Sequence, residues 1–343
     1  MGMAKRNYSK RSKKIEPAVQ TIYMPIPVGG AVNSTIDLSQ VASLVNRRFY
    51  RQGINWAVAG FKLLTPAAVT GEITLAKLPN TWVLSNSWEK GFRTWSKMNR
   101  EALSESDSVA PKFLDFKIYM DQTHHAAGFG SNLLPVDASA NAATAGEWQS
   151  SKIVIPVSPE FTPAPTDAIN EYEIVATGAS FGGVSAATGL NAVSLIEGYA
   201  ASRALPDVLD PNTPDDAQDT ASQTPENWLQ AIFNDGTGQS SDVIDIMQTE
   251  NEIAPYPFEG DGTHLDTMYP GGANQLPGLQ VHDLEFVTGT TIGGTTRLKG
   301  GNFPCGLVRI QALNFSSETT ALLLIDLIPG NHRGYLCESM TEM

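Results

Sequence analysis

A β-sandwich with long connecting loops is the fold class this sequence predicts, and three observations predict it. Charged residues make up only 17% of the chain, whereas it holds 30 Gly and 21 Pro. That balance favours many short strands joined by turns over a helical bundle. Apolar residues recur in short runs, one with the period of two that sets one strand face against a core. A long acidic stretch then interrupts the runs, which suits a sandwich with elaborated loops. At 343 residues there is ample chain for one large domain or two ordinary ones.

Residues 1–17 read as a basic arm, almost without apolar side chains and disordered until something neutralises it. Residues 18–343 form the body. "QTIYMPIPVGG" (20–30) is an extended segment whose Pro25 and Pro27 put it at a sheet edge. "INWAVAGFKLL" (54–64), "GEITLAKL" (71–78), "KFLDFKIYM" (112–120), "SKIVIPVS" (151–158) and "EYEIVATGAS" (171–180) read as strands. So do "LQVHDLEFVTG" (279–289), "GLVRIQALNF" (306–315) and "TALLLIDLIPG" (320–330). In 112–120, Phe113, Asp115, Lys117 and Tyr119 alternate with Leu114, Phe116, Ile118 and Met120.

The strong early helix is "NSWEKGFRTWSKMNREAL" (86–103), with Asn86 as N-cap and Glu89 reaching back in a capping box. Trp88, Phe92 and Trp95 share one side; Lys90, Arg93, Lys97 and Arg100 share the other. The cationic side reads either as a solvated face, eased by Glu89–Arg93 and Lys97–Glu101 pairs, or as a surface toward nucleic acid or an acidic neighbour. From 182 to 278 runs an acidic loop excursion with helices expected at 191–205 and 225–235. No run of 18 apolar residues exists, so no transmembrane helix is expected. The first residues lack the apolar core of a secretory signal.

Net charge is −13, but it is distributed unevenly. Residues 1–152 hold 18 Lys/Arg against 11 Asp/Glu, and residues 153–343 hold 5 against 25. Between Ala204 and Thr296 there is no Lys or Arg. Such polarity suggests one face toward a polyanion and another toward solvent or neighbouring subunits. The arm supplies Lys5, Arg6, Lys10, Arg11, Lys13 and Lys14 with no carboxylate among them. About six phosphate contacts to a single strand give a log–log salt slope near −4, weak for one copy and strong for many copies held together. No helix-turn-helix, zinc finger or aromatic RNA-recognition motif accompanies the arm, so sequence-specific readout is not expected.

Motifs with chemical meaning are few. "GASFG" (178–182) matches the nucleophile elbow and would make Ser180 a serine-hydrolase nucleophile, but a Gly-punctuated stretch follows where a helix is needed. A turn after a strand is the simpler reading. His124 and His125 on a strand would point to opposite faces and so not share a metal. "EGDGTHLD" (259–266) and "DPNTPDD" (210–216) would suit an inter-subunit Ca²⁺ through hard oxygen ligands, without EF-hand spacing. "GFGSN" (128–132) lacks the spacing and Lys of a phosphate loop and reads as a turn. Cys305 and Cys337, the two cysteines, read as small semi-buried thiols, with a bridge between them as the alternative.

"LPNTWVLSNSWEKGFRTWSKMNREAL" (78–103), "PKFLDFKIYMDQTHHAAGFGSNLLP" (111–135) and "LIDLIPGNHRGYLCESMTEM" (324–343) resemble capsid proteins of small circular single-stranded DNA viruses that encode a replication initiator. The resemblance implies a single jelly roll of two four-stranded antiparallel sheets, with long loop insertions and a few short helices. It implies a non-enzymatic chain that assembles with copies of itself into an icosahedral shell around a single-stranded DNA genome. It also implies a place in the virion and passage through the host nucleus, without a membrane. Basic arms in that group contact nucleic acid inside the shell. This arm is shorter than the Arg-rich tract of many relatives, so Arg47, Arg48 and Arg51 are expected to extend the basic inner surface. The other functional classes left open by the sequence are the Ser180 hydrolase and a β-sandwich binding or adhesion module.

Overall fold

The computed structural model describes residues 17–104, 115–137, 139–146, 148–156, 169–201, 278–288 and 294–343. They form β1 (Thr21–Val28), β2 (Ala31–Asp37), α1 (Leu38–Asn46), β3 (Ile54–Leu64), β4 (Gly71–Lys77) and α2 (Trp82–Ser104). Next come α3 (Gln122–Ala127), β5 (Lys152–Pro156), β6 (Ile169–Val175), β7 (Ala192–Ser194) and α4 (Leu195–Ala201). The last stretch carries β8 (Gln280–Val287), β9 (Thr295–Phe303), β10 (Leu307–Leu313), β11 (Thr319–Leu327), β12 (Pro329–Gly330), β13 (Gly334–Tyr335) and β14 (Cys337–Ser339).

The protein is mainly β with antiparallel principal sheets. One sheet runs β1-β11-β3-β9; the other runs β2-β10-β4-β8. The second has the four strands expected. The first gains a fifth, because β14 bonds Ile54–Trp56 of β3 beyond the point where β11 leaves it. Period two fills the space between the sheets. On β1, Ile22, Met24, Ile26 and Val28 are buried while Tyr23 and Pro27 are exposed, and on β11 the buried set is Ala321, Leu323, Ile325 and Leu327. These side chains join Ile36, Ile73, Leu75, Val308 and Ile310 of the other sheet in one cluster. Each is worth about 1.5–3 kcal/mol of burial. Pro25 and Pro27 do lie on an edge strand, where a missing N–H breaks no ladder.

Between β4 and β8 the chain builds a second layer with its own core. Trp88, Phe92 and Trp95 of α2 surround Phe116 at centroid distances of 6.0, 5.8 and 5.4 Å. Ile153, Ile155, Ile174, Leu195 and Ile196 complete this cluster. Arg93, Lys97 and Arg100 are exposed on the opposite face of α2, and Glu89 pairs with Arg93. The helix starts earlier than its polar signals suggest. Thr81 Oγ1 accepts from the Leu84 N–H at 3.4 Å, and Asn86 lies inside the second turn. Burial of Val83 and Leu84 draws those residues into the helix, so the core overrides the capping box at Asn86.

Two further expectations are corrected. Residues 115–118 join no ladder, and Tyr119 makes a single parallel bridge to Val175. Phe116 through Met120 are all buried, so the alternation there marks no exposed face. The expected helix from 191 begins instead as β7, which pairs parallel with β6, and α4 starts only at Leu195. Residues 112–114, 202–205 and 225–235 and the acidic loops at 210–216 and 259–266 lie outside the described residues, as does the arm through Glu16. No described helix is long and apolar enough to cross a membrane.

Packing in the first sheet is tightest at Gly300, where an added Cβ would lie 2.2 Å from the Ala59 carbonyl oxygen and 2.3 Å from that of Val58. Those are backbone atoms and cannot swing aside. Gly300→Ala is expected to lower stability by about 2 kcal/mol or more. Urea unfolding should show the midpoint shifted down.

Candidate nucleic-acid interface

The carboxylate of Asp37 accepts from the Ser39 and Gln40 N–H groups and so starts α1. Nine residues later the helix ends at Asn46, followed by Arg47 in the left-handed region at φ 54°. The side chain of Asn46 faces the first described residues of the chain. Its Oδ1 accepts from the Val19 N–H at 3.0 Å, and its Nδ2 donates to the Tyr335 hydroxyl at 2.7 Å. That hydroxyl donates to the Val19 carbonyl, also at 2.7 Å. Three hydrogen bonds therefore close a ring around the backbone of Val19, immediately downstream of the arm.

The turn after Asn46 carries Arg47, Arg48 and Arg51, all exposed. It is held from below by Tyr50, which is fully buried against Trp56 and Tyr335 at centroid distances of 5.8 and 5.5 Å. Tyr50 donates its hydroxyl proton to the Arg333 carbonyl at 2.9 Å. The guanidinium of Arg333 donates in turn to the Phe49 carbonyl. Under Phe49 lies the Lys117 ammonium, 5.7 Å from that ring, 4.1 Å from the Trp148 ring and 3.3 Å from the Asp115 carboxylate. Burial pushes the Asp115 carboxyl up, against the pull of Lys117 and Arg51.

Two turns far apart in sequence thus form one corner with four exposed arginines. Arg47 and Arg333 both hold positive φ, at 54° and 52°, a conformation that costs an L-residue about 1–2 kcal/mol. Lys5, Arg6, Lys10, Arg11, Lys13 and Lys14 lie outside the described residues, but the chain leaves the arm at this same corner. Arg333 was not among the expected contacts. "GNHRGY" is legible as a turn, yet nothing local says that it meets residue 49.

The other candidates resolve differently. Ser180 does sit in a turn, its Oγ accepting from the Ser194 N–H at 3.1 Å, and no helix follows until Leu195. "GFGSN" contains a 3-10 turn over Phe129–Ser131. His124 and His125 lie on helix α3, not on a strand, and both are buried. The Met120 N–H donates to His124 Nδ1 at 3.1 Å, so Nε2 carries the proton toward Asn132 Oδ1 at 2.8 Å. His125 Nε2 lies 2.9 Å from Glu173 Oε2. Burial pushes the Glu173 carboxyl up, but hydrogen bonds from His125, Ser150 and Thr188 outweigh it and hold it below the usual range. Burial and the Glu173 charge push the Tyr119 hydroxyl up to about 12. Among the described residues, no group of three or more His, Cys, Asp or Glu is placed to hold a metal. Cys305 is fully buried and Cys337 half-buried, and the two are not bridged; burial pushes both thiols up, Cys337 to about 12.

Comparison of the chain with family models, with curated proteins and with solved structures finds no match.

Burial pushes His124 down to about 3 from its ordinary 6.5. The folded state then binds fewer protons than the unfolded chain between those values. Stability contributed by neutral His124 is full above pH 6.5 and falls with pH, by about 1.4 kcal/mol per unit, until about pH 3. Glu173 acts in the same sense below its ordinary value, whereas buried Asp37, pushed up, acts in the opposite one. His124→Asn keeps an acceptor near Nδ1 and removes the titration. Urea unfolding across this range should show a shallower loss in the variant; parallel slopes would exclude His124 as the source.

Proposed function

We propose that this chain is a structural capsid protein that assembles into a closed icosahedral shell and packages single-stranded DNA. The observation that carries the reading is the corner itself: the root of the basic arm is pinned beside Arg47, Arg48, Arg51 and Arg333. The corner offers four cations, and the sequence of the arm supplies six more, ten in all. Single-stranded binding through all of them has a log–log salt slope near −7, against about −4 for the arm alone. Phosphate contacts of this kind carry no base information, which suits a packaged genome.

The strand order supports a jelly roll. Sheets β1-β11-β3-β9 and β2-β10-β4-β8 alternate the early and late strands of the chain, as expected when one long hairpin is rolled on itself. Loops at the ends of such a roll are free to elaborate, and the layer between β4 and β8 is such an elaboration. The charge polarity of the sequence fits the same reading, with cations toward the genome and the acidic excursion available to the opposite surface.

Electron microscopy of the purified recombinant chain should show closed shells, with an absorbance ratio that reports nucleic acid inside. A chain that stays monomeric at high concentration and moderate salt would overturn the reading. Deleting residues 1–14 should leave shells that carry several-fold less nucleic acid; an unchanged content would remove the arm from the mechanism.

A further inference from the structure

We infer that the side chains of Lys77 and Asn302 are the two halves of a modification site, where an isopeptide bond between them staples one sheet to the other. Neither residue belongs to the cationic corner, and the bond does not require a shell to form.

Lys77 is the last residue of β4 and is only 5% exposed. Its Nζ reaches β9 of the other sheet, donating to Asn302 Oδ1 at 2.8 Å and to the Asn302 backbone carbonyl at 2.9 Å. The ring of fully buried Phe303 lies 5.8 Å from Nζ. Among the described residues no carboxylate pairs with Lys77, so a buried cation has only neutral acceptors. The cost of an uncompensated buried charge falls on the protonated form. Burial accordingly pushes the Lys77 amine down from its ordinary 10.5, which raises the share of nucleophilic neutral amine at a given pH.

The acceptor fits the same chemistry. An Asp at 302 would supply the missing counter-charge, whereas an amide supplies an electrophilic carbon with a leaving group. A C=O bond is about 1.23 Å long, so a nitrogen 2.8 Å from Oδ1 lies about 3–4 Å from Cγ. Atoms poised to react stand about 3–3.5 Å apart. Strand β8 holds β9 in place beside them. The Lys299 N–H donates to Asp283 Oδ2 at 2.8 Å, and His282 Nε2 lies 3.2 and 3.1 Å from the Lys299 and Gly300 carbonyl oxygens.

In the bond-forming step neutral Nζ attacks Cγ. The Nζ–Cγ bond forms, the Cγ–Nδ2 bond breaks, and one Nζ proton passes to Nδ2, which departs as ammonia. One amide replaces another, so no oxidant or co-reactant is needed, and the buried charge is removed. With no neighbouring carboxyl to relay the proton the exchange is slow, and it quickens with pH as neutral amine accumulates. The product ties β4 to β9 and restricts the unfolded chain as a disulfide does.

The test is tryptic mapping by mass spectrometry of the purified full chain, held for several days at about pH 6 and about pH 9, both below the ordinary lysine range. In the linked chain trypsin is blocked at Lys77, and residues 63–90 are recovered joined to residues 300–309, lighter by one ammonia. The linked fraction should grow with time, and several-fold faster at the higher pH. Complete cleavage after Lys77 at every time and both pH values would overturn the inference. Lys77→Met removes the nucleophile and keeps an apolar stem beside Phe303. The urea midpoint of the unaltered chain should rise during incubation while that of the variant stays constant; an equal rise in both would remove the staple as its cause. Where the variant fails to fold, the peptide map of the unaltered chain decides alone.

Discussion

Asp37 is the constraint on which the cationic corner depends. Its carboxylate is fully buried and accepts five hydrogen bonds, from Ser39 N and Oγ, Gln40 N, Gln52 Nε2 and Trp148 Nε1. Burial pushes its carboxyl up in spite of them, so the site holds a group that would be costly without those partners. The partners come from three stretches of chain: the first turn of α1, the loop before β3 and the segment leading to β5. Fixing Asp37 therefore fixes the direction of α1. That direction determines where Asn46 ends up, and Asn46 determines where the arm is tied.

The same buried carboxylate reaches the inserted layer through Gln52, which also pairs with both backbone polar groups of Ile118. Around it a second set of polar contacts joins the two layers. Arg309 of β10 pairs with Asp121, the cap of α3, at 2.5 Å. Asn132 bridges His124 and Gln40. Buried polar groups of this kind add little net stability, but they tolerate few alternative packings, because each misplacement strands a donor or acceptor. The two apolar cores supply the bulk of the burial, and the polar contacts between them set the register in which they meet.

Part of the strand set was legible because one face of a strand is open and the other buried, though β4 and β10 are buried on both faces and show only as apolar runs. β1 and β11 show it clearly, with buried and open positions alternating along their length. The prolines of β1 marked an edge for a local reason, their missing N–H. Elements that gave no such signal were β2 and β9. β2 reads "AVNSTID", and its Ser34, Thr35 and Asp37 are buried by neighbours distant in sequence. β9 reads "TTRLKGGNF", whose paired glycines look like a turn until Ala59 is seen to approach within reach of Gly300. The corner was half legible. Arg47, Arg48 and Arg51 stand out as a cationic run, whereas Arg333 joins them through a contact 284 residues away.

By itself the sequence determined what depends on neighbours along the chain: most strands, the edge at Pro25 and Pro27, the two-sided helix α2 and the cationic arm. Only the tertiary structure decided where α2 begins, that residues 115–118 thread a core outside any ladder, that the paired histidines sit on a helix, and that Val19 meets Asn46 and Tyr335. The physical reason is common to all four. Burial and hydrogen-bond closure are settled by partners that arrive from elsewhere in the chain, and local periodicity carries no record of them.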